Sequence, residues 1–117
     1  MRPSGPAKRD FTAWRGSNAP VIQMRLLNPD KTLQDLTGHD LILTCRMSDG
    51  DVIASLSDGG LSMDDTGLIT WAMSLTDSRR LRVGRYNPYA IERREPDGAQ
   101  YPQMVGIIIG MDYPNGD

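Results

Sequence analysis

The chain has 117 residues, of which 38% are hydrophobic and 24% are charged, and its formal net charge is −2. This length predicts about one domain, which can fold without metals or disulfides, and a single cysteine excludes an internal disulfide. The small net charge gives no support to nucleic-acid binding through bulk electrostatics, and no apolar run in the sequence approaches the roughly 18 residues that cross a bilayer.

The two ends of the chain lack any regular pattern. Residues 1–9 are polar, basic and rich in proline and glycine, so we expect a flexible N-terminal arm that either stays disordered or becomes ordered against a neighbouring subunit. The arm has no apolar stretch of the kind that a signal peptide needs, and the single cysteine fits synthesis in a reducing cytoplasm. Residues 10–113 are the predicted domain, and residues 114–117 are a short C-terminal tail.

Between these ends, the sequence predicts short β-strands. Its 12 glycines and 8 prolines exceed the average share of these residues, which indicates many turns. Turn signals recur about every 8–12 residues, the spacing of an all-β sandwich or barrel. In the segment Ile22-Gln23-Met24-Arg25-Leu26, apolar and polar side chains alternate as in a half-buried strand. The predicted strands cover residues 11–14, 21–27, 39–47, 51–56, 61–63, 68–73, 84–94 and 100–111.

One short helix is predicted at residues 74–83, between two of these strands. Ser74 can cap its N-terminus, Asp77 lies in its first turn and Gly84 can end it. Pro88 interrupts the strand that follows. Because proline donates no hydrogen bond to a sheet, this strand either lies at a sheet edge or is bulged at that point.

No group of residues in the sequence predicts catalysis or a metal site. His39 is the only histidine, and no nucleophile or further ligand stands at a recognisable spacing from it. Cys45 lies on the apolar side of a predicted strand, where a cysteine behaves as a small hydrophobic residue. We therefore expect no enzymatic activity, no cofactor and no bound metal. The aspartates of the predicted turns, which lack the order of an EF-hand loop, are Asp49, Asp51, Asp58, Asp64 and Asp65.

The last predicted strand is apolar on both faces. One face carries Met104 and Ile108. The other face carries a row of apolar residues, namely Val105, Ile107, Ile109 and Met111. Either the strand is covered on both sides or this row is a docking surface, and we predict that the row is a protein interface. Gly106 and Gly110, which have no side chains, leave room for another backbone to approach closely.

Basic residues cluster in the predicted helix, at Arg79, Arg80 and Arg82. Such a cluster is a solvated face, a contact with another protein or, with aromatic side chains nearby, a nucleic-acid surface. A guanidinium binds a carboxylate through two hydrogen bonds at once. An acidic neighbouring subunit is therefore the partner that we predict for these arginines, and we expect no nucleic-acid or membrane binding.

A series of short motifs occurs in order between residues 10 and 111. They are Asp10-Phe11, Asn28-Pro29-Asp30, residues 33–38 (LQDLTG), residues 66–70 (TGLIT), residues 74–77 (SLTD), Gly84-Arg85-Tyr86, Asp97-Gly98 and Gly106-Ile107-Ile108. Their order and spacing resemble those of the immunoglobulin-like modules of bacteriophage virions, which occur in baseplate upper proteins and in small prophage tail structural proteins.

This resemblance implies an all-β fold, an immunoglobulin-like antiparallel β-sandwich of seven to eight strands with one short connecting helix. It also implies a virion structural protein that acts as a non-enzymatic adaptor or scaffold in the tail, baseplate or neck. Such a protein is assembled in the bacterial host cytoplasm and resides in the virion. Its partners would be other virion proteins, in a symmetric homo-oligomer or ring within the particle.

A second hypothesis is a ligand-binding β-sandwich module for carbohydrate binding or adhesion. Aromatic side chains offer flat apolar faces to a ligand, and four of them would form the platform, namely Trp14, Tyr86, Tyr89 and Tyr101. Tryptophan is favoured in cores as well as at interfaces. The opposing expectation, which we favour, is that Trp14 and Trp71 belong to the hydrophobic core.

Overall fold

The computed structural model describes residues 7–17, 20–28, 30–34, 36, 38–47 and 49–112. Within these residues the chain folds into two β-sheets and one helical turn. The strands are β1 (Ala7–Lys8), β2 (Phe11–Trp14), β3 (Pro20–Met24), β4 (Asp40–Met47), β5 (Gly50–Ser55), β6 (Leu61–Met63), β7 (Ile69–Ala72), β8 (Gly84–Arg94) and β9 (Gln100–Met111), and the helix is α1 (Leu75–Ser78).

The two sheets pack against each other as a β-sandwich. One sheet has six strands, in the order β1-β9-β8-β4-β5 with β2 also paired to β9, and the other has three strands, in the order β3-β7-β6. The prediction of an all-β sandwich with one short helix is therefore confirmed. In the described part of the chain, 8 strands have three or more residues, as predicted, and β1 adds a strand of 2 residues.

The core lies between the sheets and follows the predicted alternation of faces. On β4, Leu41, Leu43 and Cys45 are fully buried, and on β7 Ile69 and Trp71 are at most 2% exposed. Because successive side chains of a strand point to opposite faces, the residues between these positions face the outside of the sandwich. The alternation in the sequence thus identified the core faces of both strands.

The N-terminal strands depart from the predicted antiparallel arrangement, because β1 and β2 both pair with β9 in parallel. Between the two strands, Arg9 N–H donates to the carbonyl of Val105 at 3.0 Å. The Asp10 carboxylate accepts a hydrogen bond from Ile107 N–H, also at 3.0 Å. The physical reason lies in the connection: β2 leads into β3 of the other sheet, so no hairpin forces it to run against β9.

The six-stranded sheet begins within the predicted N-terminal arm. Ala7 and Lys8 pair with Met104 and Val105 on β9, ahead of the predicted domain boundary at Asp10. The rest of the predicted arm, residues 1–6, and the predicted tail, residues 114–117, lie outside the described residues, so both stay predictions. Four members of predicted turns and motifs also lie outside them, namely Pro29, Asp35, Thr37 and Ser48.

The predicted helix over residues 74–83 is wrong beyond its first turn. Ser74 caps α1 as predicted, since its Oγ accepts a hydrogen bond from Asp77 N–H at 3.1 Å. The helix nevertheless ends at Ser78 rather than just before Gly84.

Asn87 explains this early end, because it binds backbone groups that a longer helix would use. Its side chain is fully buried. Its Oδ1 accepts from Arg82 N–H at 2.9 Å, and its Nδ2 donates to the Arg82 carbonyl at 2.9 Å and to the Ile108 carbonyl at 3.0 Å. The segment after α1 is therefore held against the six-stranded sheet by one amide side chain.

Of the two placements predicted for the strand that holds Pro88, the bulged one is confirmed. β8 lies between β9 and β4, so it is not an edge strand. Its register with β9 shifts between Gly84 and Asn87, just before the proline. The bulge lets Asn87 point into the core while Pro88 is exposed on the other face.

Two glycines of β9 let other parts of the chain cross it at very short range. A Cβ atom on Gly106 would overlap the carbonyl oxygen of Arg9, and a Cβ atom on Gly110 would overlap the carbonyl oxygen of Arg82. The predicted close approach at these glycines is therefore confirmed, and the approaching backbone belongs to the same chain. Any side chain at either position would push these carbonyls away from the sheet.

We predict that Gly110→Ala lowers the free energy of unfolding by about 3 kcal/mol, because the added methyl group overpacks a closed contact. Urea denaturation measures this change. The control is Gly98→Ala, where an added Cβ meets nothing within 4 Å but φ is +92°. Its backbone strain alone costs about 1 kcal/mol. Equal losses in the two variants would show that the approach of Arg82 is not a constraint on the fold.

Candidate protein-interaction surface

The residues Val105, Ile107, Ile109 and Met111, which we call the outer row, lie on the outer face of the six-stranded sheet. The opposite face of β9 points into the core, where Met104 is 7% exposed and Ile108 is fully buried. The first three residues of the outer row keep partial exposure, and Met111 is 37% exposed. The described chain therefore covers the outer row only in part.

Residues of the two neighbouring strands extend the outer row sideways. Thr12 and Trp14 of β2 pair with members of the row on one side. Pro88 and Ala90 of β8 pair with members of the row on the other side. Because directly paired residues share a face of the sheet, these side chains and the outer row form one mainly apolar surface across three strands.

The outer face of the three-stranded sheet has a different chemistry. Gln23, Thr70 and Ser62 lie side by side across β3, β7 and β6. Such a face is what an antiparallel sheet shows to water. The two outer faces of the sandwich are thus unequal, and the apolar one has the character of a surface that contacts another molecule.

An ion pair crosses the outer row. Arg85 Nη2 and Asp10 Oδ2 are 2.6 Å apart, and 58% and 38% of their side chains are exposed. Because Asp10 and Arg85 belong to segments that flank β9 on opposite sides, the pair spans the solvent side of β9. The hydrogen bonds from Arg85 and from Ile107 N–H hold the pKa of Asp10 below its usual value.

The three predicted interface arginines have two different roles. The Nε of Arg80 donates to Asp49 at 2.7 Å, and its Nη1 donates to Asp77 at 3.1 Å. The hydrogen bond to Asp49 is the main cause that raises the pKa of this guanidinium. Arg80 therefore fastens α1 to the turn before β5. Arg79 and Arg82 are exposed, so they remain candidates for an interface.

The backbone of Arg79 and Arg82 lies close to the end of β9 at Met111. Arg15 N–H donates to the Met111 carbonyl at 2.8 Å, and its guanidinium donates to the Arg79 carbonyl at 3.2 Å. The Arg82 carbonyl lies directly on Gly110. The backbone of these two arginines therefore lies near the Met111 end of β9, and at Gly110 it crosses the core face of the strand, opposite to the outer row.

Trp14 is on the surface, so the prediction that it belongs to the core is wrong. Its side chain is 41% exposed, whereas Trp71 is 2% exposed as predicted. Trp14 pairs with Met111 in parallel register and therefore points to the outer face, while Ala13 before it points into the core. Only knowledge of the partner strand could have placed this tryptophan in the candidate surface.

The four aromatic residues of the ligand-binding hypothesis do not form one platform. Tyr89 is 4% exposed, and its hydroxyl donates to the Arg9 carbonyl at 2.7 Å; burial raises the pKa of this hydroxyl. Tyr101 lies near the start of β9, where the Arg93 guanidinium packs on its ring. At roughly 3.3 Å per residue along a strand, it is far from Trp14 at the other end of β9.

The nucleophilic and metal-binding residue types are dispersed in the described part of the chain. Cys45 is fully buried, and burial raises the pKa of its thiol to about 12. His39 is partly buried ahead of β4. Among the described residues, no three or more His, Cys, Asp or Glu side chains are grouped to hold a metal ion. The same residues contain no helix with the length and apolar character to cross a membrane.

We predict that Asp10→Asn lowers the stability of the fold at neutral pH, because the amide loses the charge-assisted hydrogen bonds to Arg85 and Ile107. The folded-state pKa of Asp10 is depressed. Its contribution is therefore present above the unfolded-state pKa of about 3.9 and is lost as the pH falls through the folded-state value.

Urea denaturation of the native chain and of Asp10→Asn tests this at neutral pH and again in acid, where the two stabilities should converge. Arg85→Gln is the matched control, since Asp10→Asn should have a smaller effect in that background. A stability difference that stays constant with pH would contradict the assigned role of the carboxylate.

The comparisons with protein-family models and with curated proteins give no information about this surface. No protein-family model matches the chain, and no curated protein matches it. The candidate surface is therefore defined by two structural observations: the apolar outer row and the exposed Trp14 beside it.

Proposed function

We propose that this protein is a virion structural protein of a phage or prophage, a non-enzymatic adaptor of the tail, baseplate or neck with an immunoglobulin-like sandwich. The observation that carries the proposal is the apolar outer row, which the sandwich leaves partly exposed although its core is complete. The order of turn motifs along the chain, which resembles that of phage virion modules, supports the same function.

Docking through the outer row suits an assembly of many copies. Burial of apolar surface contributes about 25 cal/mol per Å², so one small patch gives modest affinity. Copies that the symmetry of a particle holds together bind far more tightly than one copy alone. The proposed partners are therefore other virion proteins, met in a symmetric homo-oligomer or ring, and the proposed location is the virion.

Trp14, Arg79 and Arg82 support the choice of a protein as the partner. Tryptophan and arginine are enriched among the few residues that carry most of the binding energy at protein interfaces. All three are exposed; Trp14 lies beside the outer row at Met111, and the backbone of the two arginines lies near the same end of β9. An acidic partner surface fits the two arginines, because a guanidinium binds a carboxylate through two hydrogen bonds.

Carbohydrate binding is a second candidate function, favoured by one observation. Trp14 is 41% exposed and Tyr86 is 65% exposed, and the Tyr86 ring lies close to Gly84 at the same end of the sheet. Two of the four aromatic residues are thus exposed at this end of the sheet. This function predicts glycan-array binding that Trp14→Ala abolishes and Tyr101→Ala preserves. An array without specific binding by the native protein would exclude the glycans tested.

The adaptor function predicts that Val105→Asp and Ile109→Asp block incorporation into particles while the monomer stays folded. Each change places a charge in the outer row, which a partner would have to desolvate. The measurement is the amount of protein in purified particles after complementation of a phage or prophage that lacks the gene. Thermal melting of the isolated variants reports on the fold.

Gln23→Asp is the control variant, because it places the same charge on the outer face of the other sheet. It should enter particles as the native chain does. Normal incorporation of both outer-row variants would refute docking through this surface. Unfolding of both variants would also refute it, since the outer row would then be required for the fold itself.

A further inference from the structure

The outer face of the six-stranded sheet has an open depression over β4, with a volume of about 250 Å³. Small-molecule sites usually enclose roughly 300–1,000 Å³, so this depression suits a single protein side chain. The depression is open because the side chains of Thr44 and of its partner Ala90 on β8 are both small. The lining residues are Thr44, Arg46, Asp51, Pro88, Tyr89 and Ala90.

A protruding aliphatic side chain stands directly beside this depression. Ile53 on β5 pairs with Thr44 and is 68% exposed, more than any other large hydrophobic residue of the described chain. Neighbouring strands are about 4.8 Å apart. The projecting side chain and the depression therefore lie side by side on one face of the sheet.

A positive and a negative side chain also stand side by side on this face, two residues further along β4. Arg46 on β4 pairs with Asp51 on β5, and the Nε of Arg46 is 3.6 Å from Oδ1 of Asp51. Their side chains are 73% and 42% exposed, so most of the guanidinium is open to a further carboxylate. Along this stretch, β4 carries the cation and the threonine at the depression, whereas β5 carries the projection and the anion, which also lines the depression.

We propose that a second copy of this chain docks on this face to form a symmetric dimer. The two-fold axis lies in the interface between the two facing sheets, parallel to the strands and midway between β4 and β5. Rotation about this axis places β5 of each copy over β4 of the other copy. Ile53 then fills the depression over Thr44 of the partner subunit. Arg46 then faces Asp51 of the partner subunit. Shape and charge are both self-complementary about this one axis, which is what an interface between identical surfaces requires.

This dimer goes beyond the proposed function, because it assigns a contact between two copies to β4 and β5 rather than to the outer row on β9. The two can fail separately. Loss of dimerisation with normal incorporation into particles would leave the adaptor function standing. Loss of incorporation with intact dimers would leave the dimer standing.

Sedimentation velocity of the purified full chain, from micromolar to millimolar concentration, tests the dimer. We expect a monomer–dimer equilibrium, and Ile53→Asp should raise its dissociation constant at least tenfold without a change in melting temperature. The control is Leu27→Asp, at an apolar residue that is 48% exposed and lies outside this face; it should dimerise normally. A native chain that stays monomeric throughout would overturn the proposal.

Charge reversal tests the orientation of the two copies. Arg46→Glu and Asp51→Arg should each weaken the dimer, and the double variant should restore it, because the facing charges are then opposite again. Ala90→Leu should weaken the dimer by filling the depression. If Ile53→Asp alone had an effect and these variants had none, the copies would meet at the free edge of β5, and the proposed axis would be wrong.

Discussion

The fold depends on two crossings of β9, where a backbone carbonyl takes the place that a side chain would fill. At Gly106, the Arg9 carbonyl accepts a hydrogen bond from the Tyr89 hydroxyl at 2.7 Å. At Gly110, the Arg82 carbonyl accepts one from a buried amide group at 2.9 Å. A buried carbonyl without a partner is costly. Each crossing therefore combines a glycine that leaves room with a buried polar side chain that satisfies the oxygen.

These crossings determine what kind of surface the sandwich presents. Because the segment at Arg9 holds β1 and β2 against the free side of β9, the last strand has neighbours on both sides. The outer row then lies within a broad apolar face instead of along a sheet edge. The other sheet exposes Gln23, Ser62 and Thr70, so only the outer face of the six-stranded sheet carries an apolar row. This asymmetry underlies both proposed interactions of the molecule.

Much of the fold and part of the candidate surface could be predicted from local patterns. The alternation along β4 and the two apolar faces of β9 both follow from the two-residue period of a strand, and Ser74 was recognisable as a helix cap. The end of α1 was not, because the group that binds Arg82 is Asn87, on the strand that follows. Nor could the sequence show that Arg80, which is predicted at an interface, is hydrogen-bonded to Asp49 of the same chain.

The amino-acid sequence by itself determined which side of each strand is apolar and where the chain turns, since these properties depend on residues that are close along the chain. Only the tertiary structure decided that Trp14 is exposed, because its direction follows from parallel pairing with Met111 near the other end of the chain. A strand's own pattern contains no information about which strand lies beside it or in which direction that strand runs. The composition of the outer face is therefore a property of strand pairing, which only long-range contacts establish.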